Sequence, residues 1–165
     1  LGEWVPRWMG SSIKGLSAVG GLTRGDASRI LHWSGPSVAV AICYEISVGN
    51  SLADAVADGA QWILAIANLD PYPVSLQRQF VALAQLRSIE TARDLISVAN
   101  TGPSSYISLR GEAVSVLPPL TPGLEVTGLH LHKEITGYVL WRDVPLIALF
   151  VLSAFGLFVF RRRSF

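Results

Sequence analysis

The segment Ala39-Val-Ala-Ile-Cys-Tyr-Glu45 is a short apolar run that ends in a cysteine and a carboxylate. Together with the residues before it, the run predicts a strand from Ser37 to Ile42 that is buried on both faces. Cys43 then stands at the strand end, where a following helix favours the thiolate through its terminal N–H groups and dipole. Cys43 is therefore a candidate nucleophile, and the backbone N–H groups of Tyr44 and Glu45 are candidate oxyanion donors.

Cysteine is also among the most buried residue types, so an inert core position is the alternative for Cys43. Glu45 favours a cleft instead, because a carboxylate two residues after a buried strand is costly without a partner. None of the histidines His32, His130 and His132 pairs convincingly with the cysteine. A two-histidine metal site at His130 and His132 is conceivable, but a solvated strand face is favoured, and neither a metal nor another cofactor is predicted.

Strand and helix patterns alternate through the middle of the chain. The predicted order is a short strand at Ile30 to Trp33, the strand before Cys43, a helix from Asn50 to Asp58, a strand from Trp62 to Ala67, a long helix capped by Ser75, and a strand from Leu95 to Ala99. The long helix is expected to bury one face, made of Leu76, Phe80, Leu83, Leu86 and Ile89. This βαβ order predicts an α/β sheet.

The pattern changes after Asn100. Tyr106 to Leu109 and Ala113 to Leu117 flank a turn and predict a hairpin, and the alternation from Leu124 to Leu131 predicts another strand. At the end of the long helix, Glu90 is expected to pair with Arg87 or Arg93, a structural role that is favoured over catalysis.

The C-terminal run from Val144 to Phe160 contains no charged residue and is mostly Leu, Phe and Val. It spans about 25 Å as a helix, slightly less than a hydrocarbon core of roughly 30 Å, so the flanking Trp141 and Arg161 to Arg163 would have to help. The run predicts a transmembrane helix with a cytoplasmic basic end, which divides the chain into a domain at 1–141 and a membrane segment at 142–165. A buried helix of a soluble domain is the alternative.

Composition excludes some classes of function. The formal net charge of +1 and the absence of a basic stripe argue against nucleic-acid binding. A single cysteine rules out a disulfide within the chain. Because the sequence begins Leu1-Gly2-Glu3 with neither Met nor a leader, we interpret it as the C-terminal piece of a longer protein.

Four motifs together carry a family resemblance: Ile42-Cys43-Tyr44-Glu45 after a buried strand, Asn68 after the next strand, Arg87-Ser88-Ile89-Glu90 at the end of the long helix, and Asn100-Thr101-Gly102 after the third strand. In their order and spacing they resemble the nitrilase superfamily of carbon–nitrogen hydrolases. With Gly2-Glu3-Trp4-Val5-Pro6 and the C-terminal apolar helix, the resemblance narrows to the apolipoprotein N-acyltransferase family.

The resemblance implies the C-terminal portion of an αββα sandwich that takes an acyl chain from a phospholipid as a Cys43 thioester. The chain then passes to the α-amino group of a diacylglyceryl-modified cysteine on a lipoprotein. Tyr44 and Glu45 match the adjoining Tyr-Glu pair, and Glu3 matches a supporting cleft glutamate. The expected location is the bacterial inner membrane, with the catalytic domain extracytoplasmic. The family's base Glu and its Lys precede Glu3 and have no counterpart here, so we expect this piece alone to be inactive.

One departure from the family pattern lies in the loop Asn68-Leu69-Asp70-Pro71-Tyr72-Pro73, where family members commonly carry Asn-Asp followed by an aromatic. Asn68, Tyr72 and Asn100 are substrate-cleft candidates, and the departure leaves lipid and acceptor preference open. Two other classes of function remain as alternatives. One is a membrane-tethered carbon–nitrogen hydrolase in which water resolves the thioester, and the other is a non-catalytic interaction domain.

Overall fold

Apolar runs form the centre of a six-stranded sheet in the computed structural model, which describes residues 29–31 and 33–163. The strands are β1 (Ile30–Leu31), β2 (Val38–Ile42), β3 (Trp62–Ala67), β4 (Leu95–Ala99), β5 (Ser104–Ile107) and β6 (Ala113–Leu117). The helices are α1 (Gly49–Ala57), α2 (Val74–Thr91), α3 (Gly137–Trp141) and α4 (Val144–Arg163). The predicted α/β organisation is confirmed, and the predicted bounds of β3, β4 and β6 are those observed.

The strands lie in the sheet in chain order, from β1 to β6. The central strands β2, β3 and β4 are parallel, with Ile42 opposite Ile66 and Ala67 opposite Ala99, whereas the other neighbours are antiparallel. Parallel neighbours end at the same edge of a sheet. The residues that follow these three strands are therefore brought together, and this edge holds the predicted site.

The two faces of the sheet differ in burial. Side chains of one face pack with α1 and α2 into a single apolar core that includes Ala39, Ile63 and Leu95, each fully buried. On the opposite face Ile42 is 61% exposed and Ile66 44% exposed. Parallel sheets are normally covered on both faces, so this open apolar face is the position that a second layer would occupy. The second sheet of the predicted αββα sandwich is not among the described residues.

The prediction for α2 was wrong in two details. Its N-cap is Pro73, and Ser75 lies inside the helix without capping it. Of the predicted face, Leu86 and Ile89 are largely exposed. The buried side chains in the second half of the helix are instead Ala84, Arg87, Ser88 and Thr91. The buried face changes because two polar residues, Arg87 and Ser88, turn inward between α2 and its neighbours.

The chain after β4 departs further from the predicted pattern. β5 begins two residues before its predicted start, and the Leu109 N–H donates to the Asp94 carboxylate instead of to a strand. The predicted strand from Leu124 to Leu131 was wrong, because residues 118–136 contain no regular secondary structure. Backbone groups in this segment form separate hydrogen bonds instead of a strand ladder. The His130 N–H, for example, donates to Asp94 Oδ2 at 2.9 Å. The short helix α3 was not predicted.

The C-terminal helix α4 carries the predicted apolar run. Every described side chain from residue 143 to 158 is exposed, including Phe150 at 74% and Leu157 at 72%. Among the described residues, no helix combines the length and the apolar character needed to cross a membrane. The helix itself is thus confirmed, and the predicted membrane span is not.

Candidate active site

Cys43 occupies a sharp corner at the carboxyl end of β2. Its φ is 52°, in the left-handed region, and it begins a single 3-10 turn, Cys43–Ser47, that is separated from α1 by Val48. A non-glycine residue in this region costs about 1–2 kcal/mol and persists only where the surroundings hold it. The corner places a half-buried thiol at the edge of the sheet. The helix predicted from Asn50 to Asp58 is α1, Gly49–Ala57, and the 3-10 turn between Cys43 and α1 was not predicted.

Glu45 braces this corner from within the same turn. Its Oε2 accepts the Ile42 N–H at 2.9 Å and pairs with Arg29 Nη1 at 2.5 Å. The carboxylate thus ties the last residue of β2 to the turn that starts at Cys43. Arg29 had not been singled out in the sequence, and only its place next to β1 would have suggested this contact.

The side chains that follow β3 and β4 bind each other. Asn100 Nδ2 donates to Asn68 Oδ1 at 2.8 Å, and Asn100 Oδ1 accepts the backbone N–H of Leu69 at 2.9 Å. These bonds fix the loop that leaves β3 against the end of β4. The structure therefore brings together two of the three predicted cleft residues at the same sheet edge as Cys43, with their amides engaged in holding backbone.

An aromatic cluster joins the third cleft candidate to the Cys43 corner. The Phe80 ring of α2 stacks on Tyr72 with centroids 6.2 Å apart and meets Tyr44 edge-on at 6.5 Å. Phe80 is almost fully buried, whereas Tyr44 is 68% exposed. Edge-on and offset contacts of this kind are favourable between aromatic rings. Sequence periodicity had placed Phe80 in the core, but it contained no signal that its ring also supports the site.

Two polar networks involve none of the predicted site residues. Arg87 Nη1 pairs with Glu90 Oε2 at 2.8 Å, which confirms the expected pairing of Glu90 with Arg87. The carboxylate of Asp94 accepts from Tyr106 Oη at 2.7 Å and lies within 3.5 Å of His130 and His132. The two histidines are close but do not share a strand face, since no strand forms there.

The described residues contain no group of three or more His, Cys, Asp or Glu side chains arranged to hold a metal ion. Glu3, the remaining predicted site residue, lies outside the described residues.

Comparison with known proteins adds sequence relatives and structural neighbours. No protein-family model matches the chain. Over 164 residues it is 60% identical to the apolipoprotein N-acyltransferase of Prochlorococcus marinus strain MIT 9313, covering 99% of this chain and 33% of that protein. Over 157 residues it is 30% identical to the corresponding enzyme of Synechocystis sp. strain PCC 6803, covering 93% of this chain and 30% of that protein.

Two solved structures show the same fold at low sequence identity. An amidase of Nesterenkonia sp. AN1, solved with acrylamide added to its active-site cysteine, has a TM-score of 0.50 and 19% identity over 78% of this chain and 51% of that chain. Nit3 of Saccharomyces cerevisiae, a nitrilase-superfamily member, has a TM-score of 0.50 and 17% identity over 56% of this chain and 37% of that chain.

These structural neighbours place the described domain in the α/β fold of nitrilase-like proteins. The sequence relatives are more similar to the chain, with 60% identity for two of them, and their alignments cover 99% and 90% of it. The chain is a homologue of the apolipoprotein N-acyltransferases and spans about a third of the length of the relatives it matches.

Proposed function

We propose that the protein containing this chain is an apolipoprotein N-acyltransferase with Cys43 as its nucleophile. The observation that carries the proposal is 60% identity over 164 residues to a protein of that name, in a chain whose single cysteine stands at the corner after β2. A cysteine held at a strand end, with its thiol at a cleft, is suited to attack a carbonyl carbon.

The reaction proceeds in two acyl transfers. The Cys43 sulfur attacks the ester carbonyl of a phospholipid, forms a thioester and releases a lysophospholipid, whose oxygen takes up a proton. The α-amino group of a diacylglyceryl-modified cysteine on a lipoprotein then attacks the thioester. An amide forms, and the thiol of Cys43 is regenerated with the amine's proton. No residue of the described chain is assigned as the general base.

The other site residues support this corner. Glu45 holds the start of the turn through the Ile42 N–H, and the backbone N–H groups of Tyr44 and Glu45 are candidate oxyanion donors. Tyr72 and the paired amides of Asn68 and Asn100 line the cleft edge. Glu3 is a further supporting glutamate of the cleft. The family resemblance implies these roles, and the contacts of Glu45, Tyr72 and the Asn68–Asn100 pair support them.

Attachment to a lipid bilayer fits both substrates, because each is anchored in a membrane. α4 presents only exposed, mostly apolar side chains from residue 144 to 158, a surface suited to hydrocarbon. In the proposed arrangement the run from Val144 to Phe160 spans the bacterial inner membrane with the help of Trp141 and Arg161. The catalytic domain is then extracytoplasmic, and the C-terminus is cytoplasmic.

The second candidate is a membrane-tethered hydrolase in which water resolves the thioester, and the likeness to an amidase structure is what favours it. One experiment tests the acyltransferase and the hydrolase proposals together. Full-length protein with Cys43→Ser is placed in cells that lack the native enzyme, and the N-terminus of a substrate lipoprotein is analysed by mass spectrometry. Ser75→Ala, on the exposed side of α2, is the control.

We expect N-acylation with wild type and the control, and none with Cys43→Ser at comparable membrane abundance. Normal acylation by Cys43→Ser would refute the nucleophile assignment. Failure of the wild-type protein to acylate, combined with release of free acid from an amide substrate, would favour the hydrolase.

A further inference from the structure

A polar cavity of about 380 Å³ lies behind the Cys43 turn, where α1, α2 and α3 meet. Its walls include Ser47, Gly49, Asn50, Arg87, Glu90 and Tyr138. Ser47 closes the turn that begins at Cys43, and Gly49 is the first residue of α1. The cavity therefore touches the downstream end of the segment that carries the nucleophile.

The Arg87 guanidinium is the central group of this cavity wall. The side chain is 8% exposed and pairs with Glu90 at 2.8 Å, and its buried Nε has no hydrogen-bond partner. Burial raises the pKa of the Glu90 carboxyl, and the charge of Arg87 opposes that rise. Buried ion pairs with unsatisfied groups contribute little to stability, because desolvation offsets the attraction. Stability alone therefore does not explain this pair.

Gly49 lies directly against the guanidinium. A Cβ built on Gly49 would overlap Arg87 Nη1 and come within 2.6 Å of Tyr138 Oη. No other amino acid fits at this position while Arg87 stays where it is. The guanidinium of α2 thus lies against the backbone at the start of α1, and only Val48 separates this point from the Cys43–Ser47 turn.

The turn needs such support because Cys43 holds a left-handed φ of 52°. Strained conformations relax unless neighbouring contacts over-determine them. Glu45 secures the upstream end of the turn by accepting the Ile42 N–H. The Arg87–Gly49 contact is the corresponding restraint at the downstream end.

We propose that Arg87 is a positioning residue for the Cys43 nucleophile, acting through its contact with Gly49 and held in place by Glu90. This inference rests on the proposed function in taking Cys43 as the attacking group. Arg87 touches no reacting atom. It sets the position of the turn, and a displacement of about 1 Å at a reacting group can cost up to 10²-fold in rate.

The test uses full-length protein in membranes and two readouts. One is the single-turnover rate of acyl-thioester formation on Cys43, and the other is the rate of Cys43 alkylation by iodoacetamide, which requires no lipid substrate. Both are expressed per protease-resistant molecule, so that loss of folded protein is not counted as loss of rate. The variants are Arg87→Lys, Arg87→Ala, Gly49→Ala, and Gly49→Ala combined with Arg87→Ala. The control is Arg78→Lys, on the exposed side of the same helix.

We expect Arg87→Lys and Gly49→Ala each to lower the thioester rate by about tenfold or more and to change the alkylation rate, with the control at the wild-type rate. The double variant should be no slower than Arg87→Ala alone, because removing the guanidinium makes room for the methyl group that Gly49→Ala introduces. A purely structural role would reduce only the amount of protease-resistant protein.

Wild-type rates per folded molecule in Arg87→Lys would overturn the inference. If that variant yields no folded protein, Glu90→Gln decides, because it keeps the side-chain shape and removes the ion pair. Wild-type rates in folded Glu90→Gln would then overturn it equally. Absence of thioester in the wild-type protein would instead refute the proposed function, and the alkylation rates would still test the positioning role.

Discussion

Glu45 illustrates how a single charged residue supports the candidate nucleophile without reacting itself. Its carboxylate binds the Ile42 N–H and Arg29. We expect Glu45→Gln to slow acyl transfer yet leave some thioester on Cys43, because the amide oxygen still accepts the Ile42 N–H. Glu45→Ala should be slower again, since it loses both contacts. Trapping of the acyl-enzyme separates the two steps, and a wild-type rate in Glu45→Ala would show that Glu45 is only a surface charge.

Asp94 is a buried carboxylate whose role is to hold chain segments together. Burial alone would raise its pKa, but hydrogen bonds from Tyr106, His130 and Leu109 together outweigh burial and lower the pKa. Burial and the neighbouring Asp94 also raise the pKa of Tyr106 to about 12, so its hydroxyl remains a donor across the neutral range. The ionised form of Asp94 is thus the one that the fold prefers.

Because the folded-state pKa of Asp94 is lowered, its contribution to stability is present at neutral pH. It is lost as the pH falls below about 4 and through the folded-state pKa. We expect Asp94→Asn to destabilise the domain at pH 7 by about 1–3 kcal/mol, because an amide cannot accept all of these donors. The loss should shrink at pH 3. Urea-induced loss of protease resistance measures this, with the exposed Asp58→Asn as control; an equal loss at both pH values would contradict it.

Among the secondary-structure elements, the central strands were predicted well from their apolar runs. The segment after β6 is instead held by polar contacts between distant residues. The bounds of β3 and β4 follow from continuous apolar sequence between turn residues. The strand predicted from Leu124 to Leu131 does not form, because an alternating pattern produces a strand only when the segment pairs with another strand. Here the backbone is held by contacts such as that of His130 with Asp94, which no local pattern encodes.

The open face of the sheet leads to a prediction about the neighbouring layer. Ile66 of β3 is 44% exposed on this face, and parallel sheets are normally covered on both sides. If a second sheet of an αββα sandwich packs there in the full-length protein, Ile66→Ser removes buried apolar contact and should lower protease resistance clearly. Val74→Ser, 61% exposed at the start of α2, should have little effect. Equal, small effects of both variants would mean that this face is not covered.

For the molecule as a whole, the sequence predicted which residues of the candidate site lie together, but not the contacts that hold them in place. The order of strands and helices placed Cys43, Asn68 and Asn100 at the ends of neighbouring strands, and parallel pairing brings these ends to one edge. The left-handed backbone of Cys43 and the contact of Arg87 with Gly49 arise only when distant segments meet. Such contacts depend on tertiary packing and have no signature in a single sequence.

The orientation of the whole molecule in a membrane can be measured by thiol labelling. In full-length protein otherwise free of cysteine, Lys133→Cys places a thiol at an exposed position of the described domain, and Ser164→Cys places one beyond α4. If Val144 to Phe160 crosses the inner membrane with Arg161 on the cytoplasmic side, a membrane-impermeant maleimide added outside spheroplasts should label only Lys133→Cys. Both variants should react after the membrane is permeabilised, which verifies that each thiol is accessible.

Labelling of Ser164→Cys but not Lys133→Cys from outside would reverse the orientation and place Cys43 in the cytoplasm, against the proposed function. Labelling of both from outside would mean that α4 lies on the membrane surface without crossing it.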